Sequence, residues 1–210
     1  MGLLSKQIAI YISLLLVCST FTLISPFYPA IARSKGIPLW LIGIFMSLNP
    51  LANLITSMIL GKYMVLIGRK IVILGSFIAT ALSMFILSPI EECDSSTVII
   101  LTIIARILGG IGAGCVFMSV ATVFISDYPD DIQIMLGRME AAIGLGFILG
   151  PLIGSALYLI NLAFALIVVG ALILLFSPIA WKMLGTFKDY EVNNITINRT
   201  KLFLKPVIFI

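Results

Sequence analysis

The sequence predicts an all-α, polytopic membrane bundle of six transmembrane helices, arranged as two three-helix repeats. Three observations carry this. The chain is 61% hydrophobic and only 10% charged, with a mean hydropathy of +1.22, so 210 residues have too little polar surface to cover a soluble globule. The apolar residues fall in runs of about 20, the length that crosses a hydrocarbon core of about 30 Å. These runs are too long for barrel strands and do not alternate apolar with polar, which excludes a transmembrane barrel.

The same composition narrows the function. Histidine is absent, so no Ser-His or Cys-His nucleophile pair exists and any proton relay must use carboxylates, arginine, tyrosine or water. No catalytic residue and no cofactor is expected, and the chain does not read as an enzyme. Cys18, Cys93 and Cys115 have neither CxxC nor metal-ligand spacing, so no disulfide framework and no metal site is expected. The net charge of +4 comes from basic residues scattered between apolar spans, with no recurring basic-aromatic face. Membrane orientation explains them better than nucleic acid. Glycines from Gly109 to Gly114 precede no Walker lysine, and Gly144 and Gly146 lie inside an apolar run, so a nucleotide site is not expected.

The six spans fall at roughly 8–32, 39–61, 71–90, 97–126, 133–158 and 162–183. The first is longer than a signal-peptide core and lacks a small-x-small cleavage site, so it reads as an uncleaved span. It ends in ISPFYPA, where Pro26 and Pro29 disturb helical hydrogen bonding. Either the prolines end the helix at the interface, or broken backbone is covered by protein and lines a cavity; Tyr28 between them is a candidate lining residue. Span two places Asn49, Asn53 and Ser57 on one polar stripe, which either lines a pathway or bonds a neighbouring helix. The segment from Gly61 to Lys70, GKYMVLIGRK, reads as a tight turn with its cations toward anionic lipid and helix ends. Span four contains ARILGGIGAG, with Arg106 on a stripe with Gly110, Ala113 and Phe117; such an arginine needs a carboxylate, carbonyls or water. From Met135 to Met183 the chain is nearly continuous hydrocarbon, too long for one crossing at 1.5 Å per residue, and only Asn161 offers a turn.

Span five carries the most informative pattern, GRMEAAIGLGFILGPLIGS from Gly137 to Ser155. Gly146, Gly150 and Gly154 fall at four-residue spacing on one face, where a neighbouring helix can approach closely. Glu140 lies on another face with Gly144 and Pro151. One face is therefore built for packing and the other for chemistry, because an ionisable group at membrane depth is costly and marks function. Across a ~30 Å core, the axial gap between Arg106 and Glu140 is only ~5 Å, which permits a pair if the faces agree.

Lysines and arginines set the topology. With the amino terminus cytoplasmic, ten of the 13 basic residues fall on that side and only Arg33 and Lys35 on the other, so both ends are expected inside. The loop carrying Glu91, Glu92 and Asp94 then faces the lumen or the outside. The sequons at Asn194 and Asn198 fall in the cytoplasmic tail, where they stay unglycosylated. Residues 1–184 are expected to form the bundle, with 185–210 a cytoplasmic linker.

Three of these segments resemble motifs of one family. Gly61, Gly68, Arg69 and Lys70 match the G-x-x-x-D-x-x-G-R-K loop between helices two and three of the major facilitator superfamily, with Val65 where that family usually has an aspartate. Arg106, Gly110 and Gly112 match its R-x-x-x-G-x-G motif in helix four. Gly146, Gly150, Pro151 and Gly154 match its antiporter motif, G-x-x-x-G-P-x-x-G, with Ser155 in place of a frequent final glycine. The wording GKYMVLIG, Glu140 and GLGFILGP is similar to the vesicular amine and polyamine transporters, a branch of the drug:proton antiporters. The resemblance covers the chain as an amino-terminal six-helix half.

What the resemblance implies is a proton-coupled antiporter of organic cations such as amines or polyamines, in a vesicle or plasma membrane. Glu140 would bind a proton or the substrate ammonium, with Arg106 biasing it. Gly61, Gly68, Arg69 and Lys70 would form the gating loop, its usual lock in question without the aspartate. A carboxy-terminal six-helix half, or a second chain, would complete the protein beyond KLFLKPVIFI, where a seventh helix would start. The alternatives are a half-length membrane partner without transport of its own and a facilitator of neutral solutes.

Overall fold

The computed structural model describes residues 3–184. In the order of the chain these form α1 (Leu3–Leu23), α2 (Tyr28–Ser34), α3 (Leu39–Ile67), α4 (Arg69–Leu87), a 3-10 turn (Ser88–Glu91), α5 (Ser95–Asp127), α6 (Ile132–Tyr158) and α7 (Leu162–Leu184), with no strand among the described residues. Six stretches are long and apolar enough to cross a membrane, α1 and α2 together making the first, Lys6–Ser34. Helices are the form available to such sequences, since backbone polar groups in hydrocarbon must be satisfied within the segment. Side-chain hydroxyls follow the same rule: Ser13 donates to the Ala9 carbonyl at 2.6 Å, Thr20 to Val17 at 2.7 Å and Ser83 to Thr80 at 2.7 Å.

The break in the first span lies between Leu23 and Tyr28, at the prolines. The amide of Tyr28 still reaches the Ile24 carbonyl at 2.9 Å, and α2 carries the path on to Ser34. Tyr28, Ile31 and Ala32 are buried, so the chain just beyond the break is covered by protein. The predicted loop from Gly61 to Lys70 is corrected. α3 runs through it to Ile67, and the whole reversal falls on Gly68 at φ 90°, ψ 128°, a backbone conformation that glycine adopts without a Cβ penalty. The turn at Asn161 stands as expected, with its side-chain oxygen accepting from the Ala163 amide at 2.7 Å. The linker 185–210, with both sequons, lies outside the described residues.

α5 is the centre of the bundle. It packs along α3 on one side and α4 on another, while α1 lies along α6 and α7 along α4. Exchanging the first three spans with the last three maps the α1–α6 pair onto the α3–α5 pair and leaves α4–α7 on itself, as two three-helix repeats require. The apolar interior runs through Leu14, Ile24, Phe77, Phe124 and Leu166, all buried. Between helices in lipid there is no hydrophobic driving force, so close van der Waals packing must hold them. Glycine supplies it. A Cβ on Gly110 or Gly114 of α5 would run into the α3 backbone at Asn49 and Asn53, and one on Gly112 would meet Thr80 of α4.

Candidate functional site

Two charges belong to the middle of the described spans, Arg106 on α5 and Glu140 on α6, and the fold treats them in opposite ways. Arg106 is only 3% exposed. One side of its guanidinium faces the Tyr28 ring, with Cζ 5.5 Å from the ring centroid, a cation–π contact strengthened by desolvation. The other side borders a cavity of about 20 Å³, whose polar lining is Arg106, Thr20 of α1, Asn49 of α3 and Ser83 of α4. Among the described residues Arg106 Nε and Nη2 have no hydrogen-bond partner, while the buried hydroxyls of Tyr28 and Thr102 lie beside each other. Unpaired burial of such a charge costs several kcal/mol.

Glu140 is exposed. Gly146, Gly150 and Gly154 on the same helix are buried and set against α1. A Cβ on Gly146 would come within 2.7 Å of Cys18 Cβ and 2.9 Å of the Leu15 carbonyl, one on Gly150 would strike Thr22 and the Ser19 carbonyl, and one on Gly154 would lie 2.8 Å from the Leu23 carbonyl. Pro151 sits within this helix without ending it. A Cβ on Gly144, beside Glu140, would meet nothing within 4 Å. The two faces of α6 thus differ as their spacing predicts. The permitted pair of Arg106 with Glu140 is not made: Arg106 lies in the four-helix interior, whereas Glu140 is exposed on α6, close enough to Cys18 of α1 to interact with it electrostatically. The axial estimate was compatible with contact, but the azimuth of each residue, set by how α5 and α6 roll against their neighbours, decides otherwise.

Asn49 is buried and lines the Arg106 cavity. Asn53 instead accepts a hydrogen bond from Ser57 within its own helix at 3.2 Å, while its backbone carbonyl abuts Gly114. The polar stripe of α3 therefore faces α5, and Tyr28, fully buried, touches the same arginine. Thr20 and Ser83 complete that centre and were not evident in the sequence, because a hydroxyl bonded to its own helix leaves no mark on the apolar pattern.

At the basic end, Gly61 approaches Met118 of α5 and Gly68 makes the turn. Arg69 pairs with Asp127 at the end of α5, Nη1 to Oδ1 at 3.5 Å, so α5 supplies an acid beside the Gly68 turn. Asp127 could have been found in the sequence, since an acid at a helix C-terminus opposes the helix dipole and points to a nearby cation. Lys70 stacks over the Trp181 ring, Nζ 3.9 Å from the centroid, tying α4 to α7. At the other end, Lys35 donates to the carbonyls of Glu91 and Cys93, and Ser95 donates to the Lys35 carbonyl at 2.7 Å.

The described residues thus form a multi-pass helical membrane bundle with a polar, arginine-centred interior and glycine-packed seams. Residues 10–208 match the family model described as Major Facilitator Superfamily, and the chain belongs to that superfamily. It is similar to MFS-type transporter SLC18B1 of Mus musculus, 25% identical over 170 residues that cover 80% of this chain and 37% of that protein. It resembles Multidrug resistance protein 1 of Bacillus subtilis, 31% identical over 137 residues covering 64% of this chain and 33% of that protein. Quinolone resistance protein NorA of Staphylococcus aureus is 25% identical over 216 residues, covering 98% of this chain and 54% of that protein. The chain thus spans between a third and somewhat over half of the length of these relatives.

Proposed function

We propose that this chain is the amino-terminal half of a proton-coupled antiporter of organic cations, and that Glu140 is the group that alternates between a proton and the substrate ammonium. One observation carries the reading. Among the described residues, Glu140 is the single carboxylate away from the ends of the membrane spans, and it is exposed on the open face of α6. A carboxylate left uncovered at that position is open to a cationic partner. The names of the relatives, a transporter and two drug-resistance proteins, support export of small organic molecules. A second six-helix half would cover the open faces of α3 and α6, the two helices that bury least of their surface. The basic end, with Arg69, Lys70 and Lys182, would face the cytoplasm, in a vesicle or plasma membrane.

The test uses the full-length protein in liposomes with an imposed pH gradient and a labelled polyamine. Glu140→Gln should lower proton-driven uptake at least tenfold, with Glu140→Asp retaining part of it. Unchanged uptake in Glu140→Gln would end this assignment.

A further inference from the structure

We propose that the cavity beside Arg106 is a binding site for one small monovalent anion of chloride size, held inside the six-helix bundle. Arginine does not lose its proton in proteins, so Arg106 is a fixed cation at 3% exposure. The chain has nine acidic residues. Asp189 and Glu191 lie outside the described residues; Glu91, Glu92 and Asp94 sit between α4 and α5; Asp127 pairs with Arg69; Asp130 and Asp131 lie between α5 and α6; Glu140 is exposed. None of the seven described acids pairs with Arg106, and the helices around the cavity offer it only neutral groups: Thr20 from α1, Asn49 from α3 and Ser83 from α4.

The same residue borders a cavity and carries free donors. Among the described residues Nε and Nη2 of Arg106 have no partner, and Arg106 lines a space of about 20 Å³, more than the roughly 10–15 Å³ that one water needs and far less than phosphate, sulfate or an organic carboxylate would fill. The hydroxyls of Thr20 and Ser83 now donate to carbonyls of their own helices; a hydroxyl rotates to suit its partner, so both can turn toward an anion. The Asn49 amide, within 2.9 Å of where a Cβ on Gly109 would lie, borders the same space. A water there would satisfy hydrogen bonds but leave the charge uncompensated. A halide does both, and makes the arginine centre electrically neutral, independently of whether Glu140 carries the proton.

The experiment is thermal unfolding of the purified full-length protein in detergent, with sodium chloride replacing sodium gluconate at constant ionic strength. The unfolding temperature should rise saturably with chloride. Arg106→Gln should abolish that response, and Thr20→Val and Ser83→Ala should each raise the half-saturating chloride concentration threefold or more. Superimposed chloride and gluconate curves would overturn the proposal and leave a water in the cavity, as would a chloride response that survives Arg106→Gln. If Arg106→Gln does not fold, the two hydroxyl variants decide: an unchanged half-saturating concentration in both overturns the site. No step of this readout uses transport, so it stands or falls separately from the role of Glu140.

Discussion

Arg106 and Glu140 sit on consecutive spans, yet one is enclosed by four helices and the other lies open. A charge that is fully surrounded becomes part of the packing, fixed by a tyrosine face and a small polar cavity. A charge left uncovered stays free to exchange partners. The same division runs along α6 itself, where Gly150 is pressed against Ser19 and Thr22 while Gly144, less than two turns before it, has open space. Position along the membrane says little about role; the direction a residue faces says most of it.

That contrast can be broken by paired substitutions. The largest effect on stability is expected at Gly150→Ala, whose Cβ would strike the backbone of α1 and cost ~2–3 kcal/mol, as overpacking does. Gly144→Ala should be neutral or stabilise by up to ~1 kcal/mol through helix propensity. Equal costs, measured by unfolding in detergent, would mean that the two faces of α6 are not distinct.

A smaller effect is expected at the arginine centre. Tyr28→Leu removes the cation–π contact and should cost ~1–2 kcal/mol. Tyr28→Phe keeps the ring and loses a hydroxyl that lies beside the Thr102 hydroxyl without a well-formed bond, and should cost less than Tyr28→Leu. A large loss in Tyr28→Phe would show that the hydroxyl, not the ring face, holds the arginine. The smallest effect belongs to Asp127→Asn. Its carboxylate, 25% exposed and 3.5 Å from Arg69, is worth at most ~1 kcal/mol, as partly exposed pairs are.

Much of this was legible in the sequence. Helix count follows from apolar runs, and the packing face of α6 follows from the four-residue spacing of Gly146, Gly150 and Gly154. What could not be read was rotation. Arg106 and Glu140 lie at compatible depths, but contact requires that both azimuths agree, and these depend on the seams that α5 and α6 form with different partners. The segment from Gly61 to Ile67 was misread as loop because its cations suggested a turn, whereas helix continues wherever no residue breaks it and Gly68 alone does. Asp127 shows in the sequence as an acid at a helix C-terminus, but that its partner is Arg69 does not, because the two are distant in sequence and meet only through the α4–α5 contact.

The most direct test of the central claim, that Glu140 is the open and exchangeable acid, is its modification in the full-length protein by a hydrophobic carbodiimide, which reacts with protonated carboxyls, followed by mass spectrometry of the Met139–Pro151 region. The account predicts modification at Glu140 that increases as pH falls and is suppressed by a polyamine. A Glu140 that remains unmodified at low pH, or is modified equally with and without the cation, would contradict it.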